Sequence, residues 1–214
     1  RASFEWARDR GATIGRNMVF SWNVQGLGLS RAAGFEPETE FRWAHPEPDP
    51  EAEPSADVIE DRNAAWSFWQ RSPERDSLRG LGLHIGESWA LSEVTPARLD
   101  QARDEESLLV LDDGGTVGMA YRSRVYDRER EGEEQTWAEY GAAAWDDPAA
   151  CRDLMAAIAR DAADADADFV RVLVPETPAA VSDVSLHRVE IAEEPDFVMA
   201  VDLTKDHGDY PSIS

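Results

Sequence analysis

The stretch NVQGLGLSRAAGF, from Asn23 to Phe35, follows an apolar segment near the start of the chain and carries two closely spaced glycines. Such glycines are typical of a loop that binds phosphate at a helix N-terminus. The chain's one lysine is Lys205, so the lysine of a nucleoside-triphosphate loop is missing. Gly26-x-Gly28 is also followed by no third glycine at the spacing of a dinucleotide-binding motif. The spacing therefore argues against a nucleotide loop.

The two ends of the stretch predict a helix instead. Asparagine is a favoured helix N-cap, and glycine just past the last turn is a common helix stop, so Asn23 and Gly34 bound the predicted helix. The surrounding segments predict the order helix, strand, helix, strand, over Ala2–Arg10, Thr13–Trp22, Val24–Ala33 and Glu38–Trp43. A region of this size is too small for an extensive core of its own, so we expect it to be half of a larger domain.

An asparagine that begins this helix and a Gly34-Phe35 pair that ends it resemble the closing segment of the GNAT acetyltransferase family. The resemblance implies that Asn23, Gly26 and Ser30 flank the arm of acetyl-CoA. In the family a tyrosine seven residues after the asparagine commonly protonates the departing thiolate, and here that position is Ser30. Serine is a weaker acid with a shorter reach. An ordinary N-cap role for Asn23 remains the alternative.

After an acidic, proline-rich segment the chain predicts helix, strand, helix, a three-strand meander, helix, strand, helix and strand. The predicted fold class is α/β (α+β), a mixed, mostly antiparallel sheet flanked by helices as in GNAT-like acyl-CoA N-acyltransferases. If this resemblance holds, we expect the meander to splay away from the strand Phe169–Val174. The predicted helices lie at Asn63–Arg71, at Pro96–Asp104, after Asp147 and at Pro178–Arg188, and a strand is predicted at Glu87–Val94. Within the meander, a turn is predicted at Asp112–Gly115 and a solvated hairpin tip at the charged segment DREREGEE.

The first region repeats the last four elements of the second, which suggests a duplication. The predicted domains are the C-terminal half of a first GNAT domain, an acidic linker, a degenerate second GNAT-like domain and a tail, at 1–44, 45–58, 59–204 and 205–214. Because the first domain begins partway through, we expect the 214-residue chain to have little activity alone. Its incomplete sheet edge favours a homodimer.

The second copy departs from the family pattern. The family's Q/R-x-x-G-x-G/A turn holds the CoA pyrophosphate, but here the matching segment is AWDDPAAC, where Asp146 and Asp147 would repel an anion. The second copy is therefore predicted to bind CoA poorly. Glu139 and Tyr140 lie on the strand that borders the acceptor site in the family, which makes Glu139 a candidate general base. The alternative is an exposed glutamate on an acidic protein.

Charge and composition exclude several classes of function. Forty-four acidic residues stand against 21 basic ones, for a net charge of −23. Such a surface repels phosphate backbones and anionic lipids, so we expect neither nucleic-acid nor membrane binding. The acidic, arginine-rich composition resembles proteins of salt-loving archaea. One cysteine and four scattered histidines show no metal-ligand spacing, and the chain is expected to be cytoplasmic.

Two functions remain open from the sequence. The first is an N-acetyltransferase that moves an acetyl group from acetyl-CoA to a primary amine of a small molecule or peptide, as the GNAT resemblance implies. The alternative is a non-catalytic GNAT-like module for ligand binding or dimerisation. A third interpretation is an unrelated α/β domain with a chance match at Asn23 and Gly34-Phe35.

Overall fold

The computed structural model describes residues 2–86, 90–130 and 132–205. The chain forms two compact units, Arg1–Glu40 with Glu194–Ser214, and Phe41–Glu193. These units group the strands differently from the predicted domains, since the last strand belongs with the N-terminal residues. The predicted domain boundaries rest on a duplication of one domain, which the two units do not test. The duplication therefore stays a prediction.

The first unit is built on a short antiparallel sheet. Its elements are α1 (Ala2–Arg8), β1 (Ile14–Val19), α2 (Val24–Ala32), the first half of β2 (Glu36–His45), and the C-terminal strand β11 (Asp196–Asp202). Strand β11 lies between β1 and β2, and it pairs with β1 from Ile14–Asp202 to Val19–Phe197. Apolar side chains of β1 and β11 are buried here, including Val19, Val198 and Met199. Strands from the early and the late part of the described chain therefore pair in one sheet.

The second unit holds the remaining elements. Its helices are α3 (Arg62–Arg71), α4 (Pro73–Ser77), α5 (Pro96–Asp104), α6 (Pro148–Asp164) and α7 (Pro178–Leu186). Its further strands are β3 (Asp57–Ile59), β4 (Leu81–Leu83), β5 (Leu91–Glu93), β6 (Leu108–Asp112), β7 (Thr116–Arg130), β8 (Glu133–Trp145), β9 (Phe169–Pro175) and β10 (Glu190–Ile191). No helix within the described ranges combines the length and apolar character needed to cross a bilayer.

The sheet of the second unit has the order β2-β9-β8-β7-β6-β3, with β10 beside β2 and β4–β5 as a separate hairpin. Its pairs are antiparallel except for β8 and β9, which run parallel. The predicted mixed, mostly antiparallel sheet flanked by helices is confirmed. The predicted strand Glu87–Val94 is observed as β5, and its residues 87–89 lie outside the described ones.

Helix α6 covers one face of this sheet. Asp147 caps it by accepting a hydrogen bond from the Ala150 N–H at 2.8 Å, as the sequence predicts. Its inward face includes Leu154 and Ile158, both fully buried, against Tyr140 and Val172 of the strands below. Cys151 is also buried in this cluster, and burial raises the pKa of its thiol to about 12. The cysteine is part of the core.

The predicted hairpin tip DREREGEE is wrong in extent. Strand β7 continues to Arg130 and β8 begins at Glu133, with Asp127 opposite Thr136 and Arg130 opposite Glu133. Alternation places charged side chains on both faces of this ribbon, where a strand can keep them solvated or stacked on aromatic rings. Charge by itself therefore did not identify a loop.

The acidic segment after β2 is held to the second unit. The Asp49 N–H donates to the Ala159 carbonyl at 3.0 Å, and the Ala56 N–H donates to Asp153 Oδ2 at 3.2 Å. Both acceptors belong to α6. The segment predicted as a linker therefore packs along a helix, because its backbone donors find acceptors there.

Candidate functional site

The start of α2 is set by Asn23. Its Oδ1 accepts a hydrogen bond from the Gly26 N–H at 2.8 Å, which satisfies one of the free donors of the first turn. A Cβ added at Gly26 would lie 2.6 Å from Asn23 Nδ2. A side chain at this position would make the Asn23 amide shift, which links the glycine to the geometry of the cap. At Gly28 a Cβ would meet nothing within 4 Å.

The end of α2 is a Schellman motif. Gly34 has φ of +85°, the Phe35 N–H donates to the Ser30 carbonyl at 3.0 Å, and the Gly34 N–H donates to the Arg31 carbonyl at 3.0 Å. The Phe35 ring lies 5.8 Å from the ring of Phe4. Glycine is needed for the left-handed turn and phenylalanine for its packing, which gives the Gly-Phe pair a physical basis.

Ser30 faces the sheet of the first unit. It is 7% exposed, and its Oγ accepts a hydrogen bond from Asn17 Nδ2 on β1 at 2.9 Å. Asn17 Oδ1 beside it is buried and has no hydrogen-bond partner among the described residues. The outward side of α2 is different, since Val24 is 74% exposed and Leu29 60%. The proton-donor role of Ser30 stays a prediction.

The two glycines of α2 provide a matched test. We expect Gly28→Ala to stabilise the fold by about 1 kcal/mol, because alanine is the better helix former and the methyl group meets open space. We expect no such gain from Gly26→Ala, because the methyl group displaces the Asn23 amide and the lost cap costs about 1 kcal/mol. Denaturant unfolding followed by circular dichroism measures both. Equal stabilisation by the two variants would contradict the geometry of the cap.

In the second unit the parallel strands β8 and β9 separate. They pair from Trp137–Phe169 to Tyr140–Val172, and among the described residues no pair is found further along. Strand β9 then continues against β2 on its other edge, from Val172 to Pro175. In β8, Ala142 has φ of +51° next to a shift in register with β7, which indicates a β-bulge. This is the splay expected between the meander and the strand Phe169–Val174.

The space between the separated strands is filled by the chain itself. Helix α4 contacts both β8 and β9. Leu83 of β4 lies over Gly141, where an added Cβ would be 2.7 Å from the Leu83 nitrogen. Glu74 and Leu78 are buried nearby, 6% and 2% exposed. A thioester arm between these strands would have to displace protein atoms.

The N-terminus of α6 is also unsuited to a pyrophosphate. Asp147 occupies the cap position, and Asp146 precedes it and pairs with Arg71 at 3.1 Å. Two carboxylates at this end take the place that an anionic ligand would need. The side chains of the second unit therefore do not fit acyl-CoA at the position where the GNAT pattern would hold it.

Glu74 is an unusual carboxylate. Burial, followed by the negative charges of Asp146 and Asp183, raises its pKa to about 7. Its Oε2 is buried without a hydrogen-bond partner in the described part of the chain. Sequence reasoning did not identify this residue, because its burial depends on the packing of α4 against distant strands.

Glu139 is fully buried, so the interpretation as an exposed glutamate is wrong. Its Oε2 accepts from Arg124 Nε at 2.8 Å and its Oε1 accepts from the Tyr126 hydroxyl at 2.9 Å, with an Arg171 nitrogen at 3.8 Å. Burial, then the charge of Glu139, raises the pKa of Tyr126 to about 12. The carboxylate is held by two arginines and a tyrosine. Its role as general base stays a prediction.

Tyr140 points to the opposite face of the sheet from Glu139. Its hydroxyl donates to Asp161 Oδ2 of α6 at 2.6 Å, and Arg122 also binds that oxygen at 2.9 Å. Burial raises the pKa of Tyr140 and of Asp161. Tyr140 therefore belongs to the core under α6, and the alternation of the strand separates it from its neighbour.

The predicted site residues fall into two groups. Asn23, Gly26 and Ser30 come together on α2 of the first unit, while Glu139 belongs to the second unit. Sequence reasoning missed a cluster of arginines stacked on aromatic rings near Glu139. The alternating arginines of YDRER, had they been taken as strand residues, would have placed Arg128 and Arg130 on one face.

Comparison with known proteins gives matches of structure and none of sequence family. No family model and no curated protein sequence matches the chain. Its structure is similar to a GCN5-related N-acetyltransferase from Sphaerobacter thermophilus, with a TM-score of 0.52 and 14% identity over 93% of this chain. It is also similar to a functionally unknown conserved protein from Staphylococcus epidermidis, with a TM-score of 0.50 and 9% identity over 94% of this chain. The chain spans 65% and 77% of their lengths.

Proposed function

We propose that this chain is part of a tandem GNAT-type N-acetyltransferase, which transfers an acetyl group from acetyl-CoA to a primary amine of a small molecule or peptide. The fold supports acyl transfer by analogy, since the neighbour from Sphaerobacter thermophilus is a GCN5-related N-acetyltransferase. A homodimer is part of the same proposal.

The observation that carries the proposal is the geometry of α2. The helix follows a strand, its start is fixed by the Asn23 cap and its end by the Schellman motif, and its outward side is exposed. Val24 and Leu29 present apolar surface there, and Gly28 has open space around its Cα. We place the apolar and amide-bearing arm of acetyl-CoA along this side of the helix.

The residues of the first unit fit this co-substrate in part. Asn23 keeps its amide N–H groups outside the cap bond, since that bond uses Oδ1, and these could donate to an amide carbonyl of the arm. Asn17 Oδ1, buried without a partner among the described residues, is a matching acceptor beside Ser30. When bound, acetyl-CoA supplies a thioester carbonyl that an amine can attack. Positioning by these residues is then the main catalytic contribution.

For the second unit we propose a non-catalytic role. Helix α4 contacts both separated strands, and Asp146 and Asp147 stand at the start of α6. Acetyl transfer is therefore assigned to the first unit, and the second unit is a ligand-binding module.

The test uses a side chain placed on the outward side of α2. In the full-length natural protein that contains these residues, we expect Gly28→Leu to weaken acetyl-CoA binding by about tenfold or more, because the new side chain occupies the proposed path of the arm. Leucine also favours the helix, so loss of binding would not reflect unfolding. Calorimetry in molar salt measures the affinity, and mass spectrometry detects acetylation of a panel of primary amines.

Ser185→Leu is the control, because Ser185 is an exposed helix residue of the other unit. We expect it to leave acetyl-CoA binding unchanged. Full affinity in the Gly28→Leu variant would contradict the placement on α2. Absence of both acetyl-CoA binding and amine acetylation in the natural protein would refute the proposed activity.

A further inference from the structure

A pocket of the second unit is lined by arginines and aromatic rings. Arg128 and Arg130 come from β7, Trp137 from β8, and Phe169 and Arg171 from β9. These side chains, with His45 and Glu190, surround a cavity of about 410 Å³. We call it the arginine pocket. Trp137 and Phe169 are opposite each other in the parallel pair of β8 and β9, so the two rings lie next to each other on the side of the pocket formed by the sheet.

The guanidinium groups lie over these rings. Arg128 lies 5.1 Å from the Trp137 ring, Arg130 lies 5.5 Å from the Phe169 ring, and Arg171 lies 4.5 Å from the Trp137 ring. Stacking uses the face of a guanidinium and leaves the N–H groups at its edge directed away from the ring. Those edges are suited to paired hydrogen bonds with an oxyanion.

The positive charge of the pocket is incompletely matched. The Glu139 carboxylate forms ion pairs with Arg124 and Arg171. Within residues 2–86, 90–130 and 132–205, Arg128 and Arg130 have no carboxylate oxygen within the 4.0 Å of an ion pair, although Glu190 lines the cavity and Glu133 lies opposite Arg130. In a chain with a net charge of −23, these two arginines leave positive charge at the pocket that an anion can pair with.

Two residues that line the pocket carry further polar atoms. The Trp137 indole N–H is buried and has no acceptor among the described residues, while the side chain is 3% exposed. His45 Nδ1 lies 2.9 Å from the Val170 carbonyl. Burial, followed by the charges of Arg171 and Arg130, lowers the pKa of His45, although the bond to Val170 opposes this. A neutral ring donates from Nδ1 to that carbonyl and keeps Nε2 as an acceptor.

We propose that the arginine pocket binds a small organic anion through an oxyanion group, either a phosphate monoester or a dicarboxylate. The cavity has the size of a small-molecule site, and its donors outnumber its acceptors. A long polyanion is disfavoured, because the rest of the acidic surface repels it. The inference goes beyond acetyl transfer and does not depend on it, since every residue involved belongs to the second unit.

The test titrates phenyl phosphate, inorganic phosphate and phthalate into the chain by calorimetry at one fixed low salt concentration. We expect binding of at least one probe, and we expect the double variant Arg128→Gln/Arg130→Gln to weaken it by about a hundredfold, about tenfold for each charged hydrogen-bonding group. Both arginines are exposed, so the fold should persist, and circular dichroism verifies this. Arg103→Gln, an exposed arginine of α5 outside the pocket, removes a positive charge as the control and should bind normally.

Binding of phosphates alone or of phthalate alone supports the pocket and identifies its oxyanion. No binding of any probe, or equal affinity in the double variant, overturns the proposal, and so does an equal loss in Arg103→Gln. The Gly28→Leu variant separates the two hypotheses, because it should retain probe binding whether or not acetyl-CoA binds to α2.

Discussion

Replacing Glu139 with alanine is expected to lower the free energy of unfolding by about 3–5 kcal/mol, because it leaves buried guanidinium charge uncompensated. Arg124 and Arg171 have side chains only 17% exposed, and Glu139 lies within ion-pair distance of both. The Tyr126 hydroxyl would also lose its acceptor. Urea denaturation of the original chain and of the Glu139→Ala variant measures the change. The dependence of the unfolding free energy on urea concentration is compared between them, to check that both unfold in the same way.

Glu129→Ala is the matched control for this change. Glu129 lies on the same hairpin, is exposed, and makes no ion pair with any described residue. Its replacement should alter the unfolding free energy by no more than about 0.5 kcal/mol. If Glu139→Ala is equally mild, the carboxylate is not the centre of the network. A loss of acetylation in Glu139→Gln, with the fold intact, would contradict the non-catalytic role proposed for the second unit and would support the predicted role of Glu139 as general base.

Glu74→Gln is expected to make stability less dependent on pH. The folded pKa of about 7 lies above the ordinary value of 4.5, so between these values the folded state binds more protons than the unfolded state. The contribution of Glu74 to the free energy of unfolding is therefore fully present below pH 4.5 and is lost as the pH rises through 7. The loss amounts to about 3 kcal/mol. Glutamine resembles the protonated acid and carries no charge.

We therefore expect the Glu74→Gln variant to match the original chain near pH 4.5 and to exceed its unfolding free energy at pH 8 by about 3 kcal/mol. Denaturant unfolding at both pH values provides the measurement. Glu60→Gln, at an exposed position, controls for the change in net charge. The burial assignment is wrong if the two variants show the same change in stability between pH 4.5 and pH 8.

Much of the local structure was predictable because it depends on neighbours in the chain. Thr95, Asp147 and Thr177 each cap the helix that follows them, with a side-chain oxygen accepting an N–H three residues ahead. Helix α5 was predicted with its observed bounds. The DREREGEE segment was misread because charge was taken as a sign of a loop, whereas its arginines are accommodated by rings from β8 and β9.

The candidate site was only partly predictable. The Asn23 cap and the Gly34-Phe35 end follow from the sequence, since their partners lie within a few residues, while the packing of Phe35 on Phe4 required the fold. The burial of Glu139 and Glu74 could not be predicted. Both depend on which strands and helices lie against them, and no local pattern encodes that.

Except for α4, the described helices, including the glycine-ended helix after Asn23, were predictable from the sequence by itself, because short-range sterics and hydrogen bonds act between residues close in the chain. The tertiary structure alone decided that β11 pairs with β1, that β9 pairs with β2, that α4 contacts both separated strands, and that Arg128 and Arg130 stack on rings from other strands. Those contacts join distant residues, and they form because buried backbone groups and apolar surfaces must find partners wherever the chain can supply them.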